Sequence, residues 1–206
     1  MLKTIELSIV SQSLADYAED FRDKTQFPNN VNLTPKTRKL TKNMAKCSLV
    51  IRCYNEEQHI GPLLSGIIQQ TLTDREIIIV DSGSTDGTVS IASRYPVKIL
   101  SITPEEFSFG CALNIGCGAA TGDIIVIPSA YVYPLYFDWL ENLLTPFDRS
   151  EVALVYGQQR GNEITKYSEH QVFAKWFPDI PDYNQTHPFC NNANAAIRRQ
   201  LWEKLP

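Results

Sequence analysis

The sequence lacks any apolar run long enough to cross a membrane as a helix. A spanning helix needs about 20 consecutive residues that are mostly apolar, and no stretch of the 206 residues comes near that length. Near the N-terminus the only unbroken apolar run is Ile9-Val10, which is too short for the apolar core of a signal peptide. We therefore expect neither a transmembrane segment nor a signal peptide, and we expect a cytoplasmic protein.

Basic residues are also fewer than acidic residues. Lys and Arg number 19 against 23 Asp and Glu, so the formal net charge is −4 at pH 7 with neutral histidines. Affinity for nucleic acid comes largely from contacts of Lys and Arg with phosphates, and we therefore expect no nucleic-acid partner. The sequence likewise contains neither a P-loop nor a G-x-G-x-x-G motif, two common signatures of phosphate-binding loops.

The five cysteines do not form the pattern of a disulfide framework or a zinc site. None is paired at C-x-x-C spacing, which many zinc sites use. Cys47 and Cys53 would share a strand face but lie ~20 Å apart along it, which is beyond the reach of a disulfide. We therefore expect reduced and mostly buried thiols.

From Lys46 onwards the chain alternates regularly between apolar strands and amphipathic helices. The predicted strands are residues 48–54, 76–81, 97–102, 123–128 and 152–157, and the predicted helices are residues 56–70, 87–95, 109–120 and 135–147. Such alternation with short connections predicts an α/β fold, a mostly parallel sheet with helices on both faces. After Gly157 the pattern loosens, and we expect one helix over Ile164–Trp176 and then an ordered loop.

Residues 1–45 do not share this alternation. They hold one short predicted helix, around Leu14–Phe21, and then a polar tract rich in Lys, Thr and Asn. We therefore divide the chain into a polar N-terminal extension or linker, residues 1–45, and one domain, residues 46–206.

One polar cluster follows the predicted strand 76–81. The strand ends at Asp81, and Ser84 or Thr85 is a suitable N-cap for the helix that follows. Two interpretations are open here. Asp81 could accept hydrogen bonds from a base or a ribose, or Asp81 and Asp86 could only satisfy local backbone amides.

A second polar cluster, Asn55-Glu56-Glu57, follows the first predicted strand. Acidic residues in the first turn of a helix usually complement its dipole, which is one explanation for Glu56 and Glu57. The other is a ligand site, because ligands of open α/β sheets bind at the carboxyl ends of the strands. Parallel pairing would bring both polar clusters to the same edge of the sheet.

These motifs resemble the nucleotide-binding half of the family-2 glycosyltransferases, which have the GT-A fold. The matching stretches are Y-N-E at 54–56, V-D-S-G-S-T-D-G-T at 80–88 and N-x-G-x-x-x-A-x-G-[DE] at 114–123. The bacterial rhamnosyltransferase-like subset is similar in F-S-F-G at 107–110, Y-S-E-H-Q at 167–171 and C-N-N-A-N-A at 190–195. The resemblance runs from about Lys46 to the last residue. It implies transfer of a sugar, with inversion, from a nucleoside-diphosphate sugar to a hydroxyl acceptor such as a glycan or a lipid-linked molecule.

The resemblance also implies a role for individual residues. It divides the domain into a nucleotide-sugar half, residues 46–134, and an acceptor-side segment, residues 135–206. The implied donor-site residues are Tyr54, Asn55, Glu56, Asp81, Ser82, Asn114, Ser129 and Tyr131, and the acceptor-side candidates are His187, Asn191 and Asn192. For Gly116, Gly118 and Gly122 we expect close packing of the helix on the sheet as the main role.

The strand after Asp123 is followed by Ser129-Ala130-Tyr131, where family members usually carry Asp-x-Asp. Those carboxylates hold a divalent cation against the donor diphosphate, since Mg²⁺-type cations prefer oxygen ligands. The resemblance thus implies Mg²⁺ or Mn²⁺, whereas Ser129 and the neutral phenol of Tyr131 predict weak metal binding. Without those carboxylates, Arg52, Lys175 or a helix N-terminus would have to neutralise the diphosphate.

Two alternatives also stand for Tyr131 and Tyr133. Either they form aromatic walls that stack on a base or a sugar, or they pack beneath the helix that begins at Leu135. We favour the wall for Tyr131 because of its position at a strand end. His59 is expected within a helix and in contact with solvent.

The general base of the family, usually an acid in a Glu-Asp pair, belongs on a helix after the segment that resembles residues 190–206. No such pair occurs before Pro206, so the C-terminal part of the fold is expected to be incomplete. Glu203, at helical spacing from Arg199, is expected to form a surface ion pair. Two functions follow: an inverting glycosyltransferase, or a truncated, non-catalytic remnant that at most binds nucleotide. The resemblance further allows peripheral association with a membrane.

Overall fold

Two β-sheets organise the residues that the computed structural model describes, which are 6–9, 47–161, 165–177, 190, 192–204 and 206. The strands are β1 Glu6–Ile9, β2 Cys47–Cys53, β3 Arg75–Asp81, β4 Lys98–Ser101, β5 Ile124–Pro128, β6 Val132–Pro134, β7 Leu154–Tyr156, β8 Gln158–Gly161 and β9 Asn194–Arg198. The helices are α1 Ile60–Ile68, α2 Thr88–Ala92, α3 Phe109–Gly118, α4 Trp139–Leu144, α5 Tyr167–Trp176 and α6 Arg199–Trp202. Short 3₁₀ helices form at Pro104–Glu106 and Thr145–Asp148.

The larger sheet has the strand order β4-β3-β2-β5-β9-β7. The first four strands are parallel to one another, and β9 pairs antiparallel with both β5 and β7. This arrangement confirms the predicted α/β class with a mostly parallel sheet. It also brings the carboxyl ends of β2, β3 and β5 to one edge.

Side chains of the central strands alternate between two cores, one on each face of the sheet. In β2, Leu49 and Ile51 belong to the core under α1 and α4, whereas Val50 between them belongs to the core under α3. All three are fully buried, and each contributes about 1.5–3 kcal/mol by leaving water. Because both faces are covered, the middle of each strand is apolar at consecutive positions, residues 49–51 in β2 and 77–80 in β3.

The helix predicted over residues 56–70 begins at Ile60 instead. Asn55 has a φ of 53°, a left-handed backbone conformation that does not start a helix. The amides of Glu56 and Glu57 are bound by side chains of another turn, described below, and so do not enter the helix. Tertiary hydrogen bonds therefore delay the start of α1 by one turn.

The helix predicted over residues 135–147 is also shorter, because Val132–Pro134 forms β6 and the α-helix covers only Trp139–Leu144. Pro146 has no amide hydrogen for an α-helical bond, and the chain continues there as a 3₁₀ helix.

The ordered loop predicted after Trp176 is wrong for residues 194–198, which form β9 in the large sheet. Ala and Asn are weak strand formers, so the sequence carried little signal of this strand. Small Ala195 and Ala196 are buried between β5 and β7, and the buried side chain of Asn194 accepts a hydrogen bond from Trp139 Nε1 at 3.0 Å.

The smaller sheet has the order β6-β1-β8, with β1 antiparallel to β6 and parallel to β8. Residues 6–9, which the composition assigns to the linker, are therefore a strand. The helix predicted at Leu14–Phe21 lies outside the described residues. Within the described ranges, no helix combines the length and the apolar character that crossing a bilayer requires.

All five cysteines are free thiols, as predicted. Cys47, Cys53 and Cys117 are buried, whereas Cys190 is exposed. Burial raises the pKa of the Cys47 and Cys117 thiols to about 12, so both stay protonated at neutral pH and behave as small apolar groups.

The packing role expected for Gly116 is confirmed, and it generates a prediction for stability. A Cβ added at Gly116 would lie 2.3 Å from Val50 Cγ1 and 2.9 Å from Val80 Cγ2, whereas one added at Gly118 would make only ordinary contact with Trp202. We expect Gly116→Ala to lower the free energy of unfolding by about 1–3 kcal/mol, because α3 must move off the sheet. Urea denaturation measures the change.

The matched control is Gly110→Ala on the same helix. An added Cβ there meets nothing within 4 Å. We expect a neutral or slightly stabilising effect of at most about 1 kcal/mol, because alanine is the better helix former. Equal losses for the two variants would contradict the packing role of Gly116.

Candidate functional site

A cleft of about 450 Å³ opens at the carboxyl ends of β2, β3 and β5. This edge is where open α/β sheets bind ligands. The lining residues are Arg52, Cys53, Tyr54, Glu56, Ser82, Pro104, Phe107, Phe109, Ser129, Ala130, Tyr131 and Asn192. Aromatic rings and hydroxyl groups dominate this lining.

The structure brings several of the residues expected from the sequence to this cleft and places others elsewhere. Those that line it are Tyr54, Glu56, Ser82, Ser129, Tyr131 and Asn192. Asn55, Asp81 and Asn114 are not part of the lining. His187 and Asn191 lie outside the described residues.

Asn55 connects the turn after β2 to the turn after β3. Its amide hydrogen is donated to Ser84 Oγ at 2.9 Å, and its side-chain Oδ1 accepts a hydrogen bond from the Thr85 amide at 2.8 Å. The left-handed backbone of Asn55 makes this reach possible, and Asn tolerates that conformation better than most residues. Ser84 and Thr85 thus bind Asn55, and neither is the N-cap of α2 that the sequence predicted. That helix begins after Gly87 and has no side-chain cap.

Glu57 and Asp86 form further hydrogen bonds between the turn after β2 and the turn after β3, one donated from each turn. The amide of Glu57 donates to Asp86 Oδ2 at 3.1 Å, and the amide of Gly87 donates to Glu57 Oε2 at 2.8 Å. The amide of Glu56 donates to the Thr88 hydroxyl at 2.7 Å. These acids bind backbone amides of the opposite turn, so the carboxylate of Glu57 is structural.

Asp81 is buried and holds its own turn in place. Its Oδ2 accepts hydrogen bonds from the amides of Gly83 and Ser84, both at 3.1 Å, and its Oδ1 accepts one from the Cys53 thiol at 3.7 Å. Burial, and then the neighbouring Asp81 carboxylate, raise the pKa of Cys53, so the thiol remains a donor. Of the two interpretations of Asp81, the one in which it satisfies local amides describes this geometry. Its contact with a base or ribose stays a prediction.

Two acids next to the cleft have pKa values displaced in opposite directions. Burial, and then the nearby charge of Asp86, raise the pKa of Glu56, which faces the cleft. For Asp86, burial opposes ionisation, but hydrogen bonds from the hydroxyl and amide of Thr88 and from the Glu57 amide outweigh it and lower the pKa. Of these two acids, Asp86 is therefore the one whose ionised form the fold stabilises.

Asn114 lies on an exposed part of α3, where its Oδ1 accepts a hydrogen bond from Trp202 Nε1 at 3.2 Å. This bond joins α3 to α6. The expected contact of Asn114 with a nucleotide stays a prediction. On α6 itself, Arg199 and Glu203 form the ion pair that their spacing predicts, at 2.5 Å.

The two tyrosines after β5 have different environments, and the stacking of Tyr131 on a base or a sugar stays a prediction. Tyr131 is 45% exposed and forms part of the cleft wall. Tyr133 is buried, and its hydroxyl is hydrogen-bonded to His59 Nδ1 at 2.5 Å. His59 was expected to lie in a helix and face solvent. It precedes α1 instead and is half-buried, and this burial lowers its pKa.

The position of the expected Asp-x-Asp motif offers poor ligands for Mg²⁺ or Mn²⁺. Ser129 donates its amide to Ala193 O at 3.1 Å, Ala130 is buried and Tyr131 presents a phenol ring. Among the described residues, no group of three or more His, Cys, Asp or Glu side chains could hold a metal ion. A hard divalent cation prefers carboxylate oxygens, so the described residues do not fit it.

Phe107 and Phe109 are cleft residues to which the sequence alone assigned no role, and Arg52, one of the cations considered for the diphosphate, lies beside Phe109. The rings of Phe107 and Phe109 meet edge to face with centroids 5.3 Å apart. Arg52 donates from Nη1 to Phe109 O at 3.1 Å and lies over the Phe109 ring at 5.3 Å. The F-S-F-G motif was the available signal, but only the fold of residues 104–109 over the end of β2 makes these rings part of the site.

The strand order of the large sheet and the position of the cleft are those of the GT-A fold. The structure is similar to that of the mannosyltransferase PcManGT from Pyrobaculum calidifontis, with a TM-score of 0.61 and 22% sequence identity over 93% of this chain and 53% of that one. The chain belongs to glycosyl transferase family 2, whose family model matches residues 48–205.

Two curated relatives place it with the rhamnosyltransferase-like members of that family. The O-antigen chain rhamnosyltransferase RfbN of Salmonella typhimurium is 28% identical over 78% of this chain and 54% of its own length. The O-antigen chain rhamnosyltransferase WbaN of Salmonella anatum is 31% identical over 66% of this chain and 47% of its own length. The chain thus spans about half the length of the curated relatives it matches.

The hydrogen bonds of Asp86 generate a prediction for acid stability. A lowered pKa in the folded state means that ionised Asp86 stabilises the fold above its ordinary pKa of 3.8, and that this contribution is lost as the pH falls through the lower value of the folded state. We expect Asp86→Asn to be less stable than the wild type at pH 7 and to lose less of its stability between pH 5 and pH 2. Urea titrations across that range measure both effects.

The control for this experiment is Asp138→Asn, at an exposed carboxylate that makes no capping hydrogen bond. We expect it to keep the pH dependence of the wild type. A profile for Asp86→Asn that parallels the wild type would mean that Asp86 does not hold the two turns together.

Proposed function

We propose that this chain carries the donor-binding half of a glycosyltransferase that moves a sugar from a nucleoside-diphosphate sugar to a hydroxyl acceptor with inversion. The observation that carries the proposal is the cleft at the carboxyl ends of β2, β3 and β5, where Tyr54, Ser82 and Tyr131 meet in a family-2 chain. The structures of PcManGT with GDP-Man and Mn²⁺ and of TarS from S. aureus with UDP-GlcNAc support a donor of this kind.

In this proposal Tyr54 and Tyr131 are the aromatic surfaces of the donor site. Tyr54 is 53% exposed directly after β2, and a nucleobase stacked on it would cover an otherwise solvated ring. The half-buried Ser129 and the buried Ser82 supply hydroxyl groups to the same cleft. Asn192 also lines the cleft, and we assign it, with His187 and Asn191, to binding of the acceptor.

The reaction is a single in-line displacement. The acceptor oxygen attacks the anomeric carbon, the bond from that carbon to the diphosphate breaks, and the nucleoside diphosphate leaves with the electron pair. The hydroxyl proton passes to a general base, and such transfer contributes about 10²–10⁴-fold to a rate. The family places this base on a helix that follows the segment matched by residues 190–206.

A second candidate function is nucleotide binding without transfer. The observation in its favour is the absence of carboxylates at Ser129-Ala130-Tyr131, where the family holds its cation. Release of nucleoside diphosphate from UDP-, GDP- or dTDP-sugars in the presence of a hydroxyl acceptor would exclude it. Binding of these donors without any release would favour it over transfer.

The cytoplasmic location and the peripheral membrane association are further proposals. Fractionation of the producing cell tests the first. Flotation of the purified chain with anionic and with neutral phospholipid vesicles tests the second.

The aromatic surface of Tyr54 generates a prediction for nucleotide affinity. We expect Tyr54→Ala to raise the Kd for the preferred nucleoside diphosphate about tenfold, because a stacked base contributes about 1–3 kcal/mol. Tyr54→Phe keeps the ring and should change the Kd less than about twofold. Isothermal titration calorimetry with UDP, GDP and dTDP measures these constants.

Tyr167→Ala is the matched control, since this ring on α5 is 79% exposed and not part of the cleft lining. It should bind nucleotide like the wild type. An unchanged Kd for Tyr54→Ala would remove Tyr54 from the donor site.

The metal position generates a separate prediction. We expect the double variant Ser129→Asp with Tyr131→Asp to bind Mn²⁺ at least about tenfold more tightly than the wild type, because it supplies the carboxylate oxygens that hard cations prefer. The variant with Asn at both positions has similar shape without charge and serves as the control. Calorimetric titration with MnCl₂ measures the affinities, and equal Mn²⁺ affinity of all three proteins would tell against the alignment of these residues with Asp-x-Asp.

A further inference from the structure

Arg52 is the basic side chain among the residues that line the cleft. It lies near the end of β2, half-buried, with its guanidinium over the ring of Phe109. One of its hydrogen-bond donors, Nη1, is bound to Phe109 O at 3.1 Å. Guanidinium carries five N–H donors in a planar fork, so most of its donors are available to a ligand in the cleft.

No carboxylate of the described residues forms an ion pair with Arg52. Burial lowers the pKa of the guanidinium. A cation removed from water without a partner is costly. Burial without a counterion therefore favours an anion as the natural occupant of the space beside Arg52.

The N-terminus of α3 adds to the positive potential at this point. Arg52 is bonded to Phe109, the first residue of this ten-residue helix. The Ser108 hydroxyl accepts a hydrogen bond from the Cys111 amide, whereas the amides of the first residues of a helix have no partner within the helix. A helix N-terminus carries a partial positive charge and repels a cation. An anion between Arg52 and the N-terminus of α3 would therefore be attracted by both.

The described residues of the same cleft do not include a group of side chains that would hold a metal ion. Ser129 and Tyr131 occupy the strand end at which the family carries two carboxylates, and the described residues offer no cluster that fits a divalent cation. The diphosphate of a donor would still need a positive charge opposite it.

We propose that Arg52 binds the diphosphate of the donor and that this chain therefore binds nucleoside diphosphates without a divalent cation. The inference rests on the proposed function, since it concerns the same cleft. Arg52 and Tyr54 are two residues apart, about 7 Å along an extended chain. A base stacked on Tyr54 would thus place the diphosphate, one ribose away, near the guanidinium.

Arg52 is better suited than Lys175 to bind the diphosphate, by its geometry and by its position. A guanidinium binds phosphate oxygens through two parallel hydrogen bonds, and Phe109 holds its plane in place from one side. Lys175 is exposed on α5, lies over the Trp176 ring at 5.5 Å and does not line the cleft. It is therefore not the cation that meets the diphosphate.

The test compares nucleotide binding by the 206-residue wild type and by Arg52→Gln and Arg52→Lys, each in EDTA and in MnCl₂. The probes are UDP, GDP and dTDP, together with the nucleosides uridine, guanosine and thymidine. We expect the wild type to bind one diphosphate equally well in both conditions. We expect Arg52→Gln to weaken that binding about tenfold or more, as the loss of charge-assisted hydrogen bonds implies, and to leave nucleoside binding unchanged. Arg52→Lys should be intermediate, because it keeps the charge and loses the fork.

Arg94→Gln is the control, since Arg94 is exposed beyond α2 and not part of the cleft lining. It should bind like the wild type. Circular dichroism and thermal unfolding confirm that each variant is folded. Should Arg52→Gln fail this check, Arg52→Lys in EDTA decides, and a Kd equal to that of the wild type would then overturn the inference.

The remaining outcomes separate the inference from the proposed function. Wild-type binding that requires Mn²⁺ would overturn the role of Arg52 and leave a donor site in place. Metal-free binding that Arg52→Gln does not weaken would do the same. Wild-type binding of none of the three diphosphates, with or without Mn²⁺, would overturn the proposed function and the inference with it.

Discussion

The hydrogen bonds between the turns after β2 and β3 are the constraint on which the cleft depends. Asn55 binds Ser84 and Thr85, and Glu57 exchanges bonds with the turn at Asp86 and Gly87. An exposed residue such as Tyr54 cannot be positioned by burial. Its two neighbours are bonded instead: Asn55 to Ser84 and Thr85, and the carbonyl of Cys53 to the amide of Ser82, which gives the cleft a preformed edge.

This constraint also determines the electrostatic character of the site. Asp81 and Asp86 direct their oxygens to backbone amides, so their charges are satisfied within the turns. Arg52 has no carboxylate partner among the described residues. Although Glu56 also lines the cleft, Asp81 and Asp86 bind backbone amides, and the unpaired guanidinium suits the site to an anionic ligand. An Asp-x-Asp site is suited instead to a cation, which then attracts the anion.

Much of the fold could be predicted from the sequence, because the apolar runs of β2, β3 and β5 record burial on both faces of a sheet. Residues 194–198 could not, because Ala and Asn have no strand preference until β5 and β7 flank them. For the site, Tyr54, Glu56, Ser82, Ser129, Tyr131 and Asn192 were found from motifs and their spacing. Phe107 and Phe109 were not assigned, because their place in the cleft depends on how residues 104–109 fold over β2.

The sequence by itself determined the α/β class, the alternation of strands and helices from β2 to β5, and the family, because hydrophobic period and motif spacing are local properties of the chain. Only the tertiary structure decided which polar residues face a ligand and which bind one another. Asp81 and Asn55 form hydrogen bonds within and between the turns, whereas Arg52 lines the cleft. The physical reason is that a hydrogen bond needs a partner within about 3 Å. Asn55 finds its partners in the turn at Ser84 and Thr85, and Asp81 finds them in its own turn, which folds back onto the carboxylate.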